Sequence, residues 1–241
     1  VLLTAPLLAP LAIAHAEAAG ANAATAAADR PSATVVVRVY ELGATRTPEM
    51  TTALSNAVTR LMDRVNLDID VQFVDCAIPE ACSSVARGAF VMRLTPGLHP
   101  VSPRQCGEAS KGVGPQRGVL MTIFRGCVSE TRRELRAGAI AEQGISFSLL
   151  SVSETDILAA VVLHELIHLA LPDEVHGKGL FKATLDPRDW LDMAAGWPQL
   201  DTALVSRLDR ALANPPVIPG NLVAERRFDT PAVASQQQQQ P

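Results

Sequence analysis

The chain has 241 residues, with 48% apolar side chains, 4% aromatic ones and a formal net charge of −4. That length suffices for one domain with a real core. The mildly acidic balance, with no basic patch interleaved with aromatics, gives no electrostatic ground for nucleic acid or an anionic membrane as partner.

The first stretch, VLLTAPLLAPLAIAHAEAAG, is an apolar run ending in the small-x-small triplet Ala14-His15-Ala16. It predicts a cleaved export signal over 1–16, because Pro6 and Pro10 break it too early for a membrane span. Residues 17–31 are Ala-rich with little to bury, and read as a disordered leader. Four cysteines, Cys76, Cys82, Cys106 and Cys127, form an even set without a C-x-x-C knuckle. Of the three pairings they allow, Cys76–Cys82 would clip the loop CAIPEAC and Cys106–Cys127 would tie a loop to a strand end. Both signals point to a secreted or periplasmic protein.

The domain is expected over 32–214. TVVVRVYE (34–41) is a β-branched strand between Pro31 and Gly43. Thr47-Pro48 opens a helix, Thr as N-cap and Pro at the first helical position, on which Leu54, Val58, Leu61 and Val65 recur at helical spacing. Residues 70–75, 88–95 and 118–124 read as three further strands. Between the last two, TPGLHPVSPRQCGEASKGVGPQRG shows only loop chemistry. Ser153-Glu-Thr-Asp156 caps an apolar helix from Ile157 to Leu171, stopped by Pro172. Asp186-Pro187-Arg-Asp189 caps another helix, 200–213 is a short amphipathic one, and 215–241 is a disordered Gln-rich tail. Trp190 and Trp197 are expected in packing roles.

Inside the apolar helix lies His164-Glu-Leu-Ile-His168. Histidines four residues apart stand one above the other on a helix face, so both imidazoles can reach one metal ion. Glu165 can take a proton from the attacking water and hand it to a departing amine, which is the mechanical content of H-E-x-x-H. The plainer alternative is a pair of core histidines satisfied by hydrogen bonds. A chance H-E-x-x-H arises in about one chain of this length in a hundred or fewer, which favours the metal.

A third ligand can come from beyond Pro172. Glu174 has the six-residue spacing of H-E-x-x-H-x-x-G-x-x-H, while His176 has the imidazole and a loop two residues longer. Asp173 is a further carboxylate in the same loop, and Asp189 or Asp192 would make a gluzincin-type site. His176 is favoured, imidazole being the common third ligand where the loop permits it. His15 and His99 have no partner at ligand spacing and are read as incidental.

HELIHLALPDEVHGKGLFKATLDPRDW resembles the active-site segment of a predicted group of secreted, matrixin-like bacterial zincins, whose pattern runs roughly H-E-x-G-H-L-L-L-G-x-x-x-H-S-x-x-G-I-M-R-A-x-W. The upstream TVVVRVYELGATRTPEMTTALSNAVTRLMDRVNLDIDVQFVDC is similar to that group's opening strand–helix–strand ending in Cys, and the likeness spans about 34–192. It implies an α+β, metzincin-like fold: a mixed twisted sheet, a long helix in the N-terminal half, the H-E-x-x-H helix, and C-terminal helices. It also implies Zn(2+) on His164, His168 and His176, and hydrolysis of a peptide or protein substrate with Glu165 as general base. The substrate would lie extended along an edge strand, expected at 118–124. Ile167 stands where the group has Gly, and Phe181 where it has the methionine beneath the metal. The only tyrosine is Tyr40, in the first strand, so no downstream tyrosine is available for the oxyanion.

Overall fold

The computed structural model describes residues 33–41, 48–76, 90–110, 119–141, 151–195 and 200–214. The expected leader, the Gln-rich tail, His15, Thr47, Cys82 and Trp197 lie outside them. The described elements are a mixed five-stranded sheet with helices, an α+β arrangement.

Alternation builds the sheet. In β1 (Ala33–Glu41), Val35, Val37 and Val39 are buried, while their neighbours face the other side. Ile69 and Val71 of β2 (Ile69–Asp75) and Phe90, Met92 and Leu94 of β3 (Phe90–Thr95) continue that apolar face. Met121 and Ile123 of β5 (Leu120–Phe124) complete it. β1 pairs with β2 and β3, and β3 with β5, all in parallel. Parallel neighbours need a crossover, and α1 (Pro48–Arg64) supplies one between β1 and β2, burying Leu54, Val58, Leu61 and Met62. Asn66, at φ 59°, takes the left-handed position just past its end.

Two expectations are corrected here. The stretch read as loop between 95 and 118 contains a strand, β4 (Gly107–Ala109), antiparallel to β5. The sheet order is therefore β2-β1-β3-β5-β4. The strand at 118–124 is not the edge: β5 has β3 on one side and β4 on the other. A three-residue strand containing glycine has no room for alternation, so its pairing with β5 defines it and not its own pattern.

A helix with no clear sequence signal, α2 (Arg125–Ala141), follows β5 directly. Cys127, Val128 and Leu135 are its buried residues among the described side chains. Cys127 is joined to Cys106, just before β4, by the expected disulfide (S–S 1.95 Å).

The central helix α3 (Glu154–Ala170) opens on the expected capping box, Ser153 accepting from the Asp156 N–H and Asp156 from the Ser153 N–H. It is buried nearly all round, from Ile157 to Leu169, as a helix packed between others must be. α4 (Pro187–Ala194) carries the Asp186–Asp189 capping box and buries Trp190. α5 (Thr202–Leu212) lays Leu204, Leu208 and Leu212 into the core. Among the described residues no helix is long and apolar enough to cross a membrane.

Candidate metal centre

His164 and His168 leave one face of α3 a turn apart, with ring centroids 4.9 Å from each other. The helix ends without glycine: Leu171, at φ −130° and ψ 71°, breaks the helical path, and its N–H still donates to the Ile167 carbonyl. Pro172 prevents continuation. The Glu174 N–H donates to the Leu171 carbonyl, turning the chain back, and His176 arrives over the two helical histidines. Its Nε2 lies 3.1 Å from His168 Nε2 and 3.3 Å from His164 Nε2.

The next turn forms the floor. A 3-10 turn (Gly179–Phe181) is closed by the Gly177 N–H donating to the Phe181 carbonyl, with Gly179 at φ 57°, a region favoured by glycine. Phe181 is buried, its ring centroid 5.3, 4.9 and 5.5 Å from those of His164, His168 and His176. The Leu180 carbonyl sits 3.2 Å from His164 Nδ1. A carbonyl can only accept, so the proton is on Nδ1 and the His164 Nε2 lone pair faces the cluster.

The three histidines could hold a metal ion. Tetrahedral Zn–N bonds of about 2.05 Å place neighbouring nitrogens about 3.3 Å apart, and the two Nε2 separations match that edge. Burial lowers the pKa of His164, the Leu180 hydrogen bond opposes that, and His176 adds to the lowering. A neutral imidazole with a free lone pair is the form that binds metal.

The remaining candidates fall elsewhere. Glu174 pairs with Arg207 of α5 at 2.5 Å. Asp189 takes the Lys182 ammonium at 2.7 and 2.9 Å, and with Asp192 it lines a separate cavity of about 350 Å³. Asp173 is not a member of the histidine cluster. His99 stands apart from it: its Nδ1 accepts the Val101 and Ser102 N–H groups, and its Nε2 lies 3.6 Å from Glu108.

Glu165 is 5% exposed, the one buried charged residue among those described. Its carboxylate accepts the Ala109 N–H of β4. Burial pushes its pKa up to about 8; the Ala109 N–H opposes this and the Glu108 charge adds to it. Gly107 is the reason it fits. A Cβ there would lie 2.5 Å from Glu165 Oε1, 2.7 Å from its Cγ and 2.8 Å from Val161 Cγ1. Gly107, Ala109 and the Leu180 carbonyl are site components that sequence reasoning did not find. The first two lie in a segment without periodicity, and a backbone carbonyl carries no residue identity.

The chain matches no protein-family model and no curated protein sequence.

Proposed function

We propose that this protein is an exported zinc-dependent endopeptidase of metzincin-like fold. The observation that carries the reading is the convergence of three imidazoles, with His176 Nε2 3.1 and 3.3 Å from the nitrogens of the other two, on the helix that also carries the buried Glu165. Three imidazole nitrogen donors would suit zinc and would leave it a fourth position for water or substrate. Zinc, when bound, supplies Lewis acidity and a water of lowered pKa.

The chain's own residues do the rest. His164, oriented by the Leu180 carbonyl, His168 and His176 would hold the ion above Phe181. Glu165 takes a proton from the attacking water and delivers it to the amine nitrogen as the peptide bond breaks. A carboxyl whose pKa burial has raised towards neutrality can do both. A nearby cation would shift it back towards the ionised form that accepts the proton. The substrate strand is assigned to the outer edge of β4, which no described strand pairs with and which touches Glu165. The Cys106–Cys127 disulfide supports an oxidising compartment.

A second reading, a silent zincin fold that binds peptide without cleaving it, draws support from Tyr40, the only tyrosine, being in β1 and unavailable for an oxyanion. One comparison separates the two. Wild type and Glu165→Ala are loaded to equal zinc stoichiometry and given an unstructured protein substrate. The peptidase reading expects hydrolysis by wild type and a loss of at least about a hundredfold in the variant. Equal rates would sink it.

A further inference from the structure

The antiparallel ladder between β4 and β5 decides which backbone groups of β4 are available. The Phe124 N–H donates to the Cys106 carbonyl, and the Ser110 N–H to the Leu120 carbonyl. Cys106, Glu108 and Ser110 are therefore the residues that hydrogen-bond to β5, since such pairs alternate along an antiparallel ladder. The N–H and C=O groups of Gly107 and Ala109 point the other way, off the sheet, and no strand among those described pairs with them.

Two of those four outward groups already have partners within the chain. Glu165 accepts the Ala109 N–H. The side-chain amide of Gln105 donates to the Gly107 carbonyl at 3.1 Å, from a backbone anchored where the Gln105 N–H meets the Ser102 carbonyl. A peptide strand aligning on β4 needs the Gly107 carbonyl as acceptor for one of its own N–H groups. The Gln105 amide sits in the place of that N–H.

We infer that Gln105 is a displaceable cap on the substrate-binding edge: it occupies the Gly107 carbonyl at rest and weakens peptide binding until it swings aside. The inference rests on the peptidase reading only for the identity of the occupant, an extended peptide. A cap of this kind satisfies the Gly107 carbonyl when no peptide is bound, which also discourages pairing with stray strands. It acts on binding and not on chemistry, because Gln105 touches neither the histidines nor Glu165 among its described contacts.

The test uses the full chain and the variants Gln105→Ala and Gln105→Met. Methionine keeps the length of glutamine but cannot donate a hydrogen bond. Binding of fluorescein-labelled, chemically unfolded casein is followed by anisotropy on chelated protein, so no turnover is required. Displacing a neutral hydrogen bond costs about 0.5–1.5 kcal/mol, so both variants should bind about twofold to thirteenfold more tightly than wild type. With zinc present, KM should fall by the same factor and kcat should hold. If Gln105→Met binds as wild type does, the amide is not what closes the edge and the inference is overturned. If wild type and both variants fail to bind any unfolded chain, the peptide-binding premise goes with it. Binding that improves in the variants while Glu165→Ala leaves turnover unchanged would instead keep the cap and discard the peptidase.

Discussion

Gly107→Ala is the sharpest test of how the edge strand and the base are coupled. The added methyl would stand 2.5 Å from Glu165 Oε1, 2.7 Å from its Cγ and 2.8 Å from Val161 Cγ1, all closer than real Cβ contacts. Reaching ordinary contact requires the carboxylate to withdraw by about 1 Å, because non-bonded carbon contacts settle near 3.5–4.0 Å. One flexible side-chain end could do this cheaply, but the Glu165 stem and Val161 are crowded as well, and both are fixed to α3. Withdrawal would also break the bond to the Ala109 N–H, leaving that donor without its partner. A misplacement of about 1 Å in a catalytic group costs on the order of a hundredfold in rate. Overpacking should cost about 1–3 kcal/mol in stability. The metal should be unaffected, since none of the three crowded contacts is a histidine. The assay therefore has three readouts: kcat on an unfolded protein substrate, zinc stoichiometry and a urea melt. The expected pattern is kcat down about a hundredfold, zinc unchanged and stability modestly lower. Full activity in Gly107→Ala would show that the carboxylate does not work from the position the strand gives it. A loss of zinc in step with activity would refute the separation of base from ligands.

Three further outcomes are expected. His176→Ala should lose zinc, because two imidazoles from one helix turn cannot complete a tetrahedral protein set; full occupancy by metal analysis would return the third ligand to another residue. Gly179→Ala forces an alanine to φ 57° and should cost about 1 kcal/mol or more. It should also weaken zinc affinity by displacing the Leu180 carbonyl from His164, on the order of tenfold or more, which a competition titration would measure; unchanged affinity would leave that carbonyl without a role. Chelated protein should be less stable at high pH. Folded Glu165 keeps its proton up to about pH 8, whereas the unfolded carboxyl releases it near 4.5, so the folded state binds more protons between these values and stability falls as pH rises through that window. The fall from about pH 6.5 to about pH 8.5 works out near 2 kcal/mol. Urea melts should show it in wild type and not in Glu165→Gln, and an equal slope in both would remove Glu165 as the cause. His164, with its lowered pKa, acts in the opposite sense, removing stability as pH falls below about 6.5.

What the sequence could reveal depended on how local each feature was. β1 and α3 were legible because burial imposes a period on a long segment: Val35, Val37 and Val39 along a strand, and a capped apolar run ending at Pro172 along a helix. α2 was not, because RGCVSETRRELRAGAIA mixes charged residues with small ones and buries few side chains among those described. β4 was not, because three residues around a glycine take strand geometry only through the partner they meet.

The same division runs through the site. His164, Glu165 and His168 share one helical turn, so chain spacing alone fixes their geometry. His176 needs a loop whose closure depends on a backbone bond between Gly177 and Phe181, and spacing could suggest it only against Glu174. Arg207, from a helix near the far end of the described chain, tips that choice by pairing with Glu174. The base is the most distant case. Glu165 has its acceptor role written in the motif, but what holds it comes from Gly107 and Ala109, more than fifty residues earlier, in a strand with no sequence signature. The residue proposed as the base was therefore legible from the chain, whereas the surface proposed to present a substrate depends on β4 lying beyond β5 in the sheet. That is why a methyl group at Gly107 and an amide at Gln105 test the functional reading more severely than another substitution in the histidine motif: each alters a contact that only the folded sheet creates.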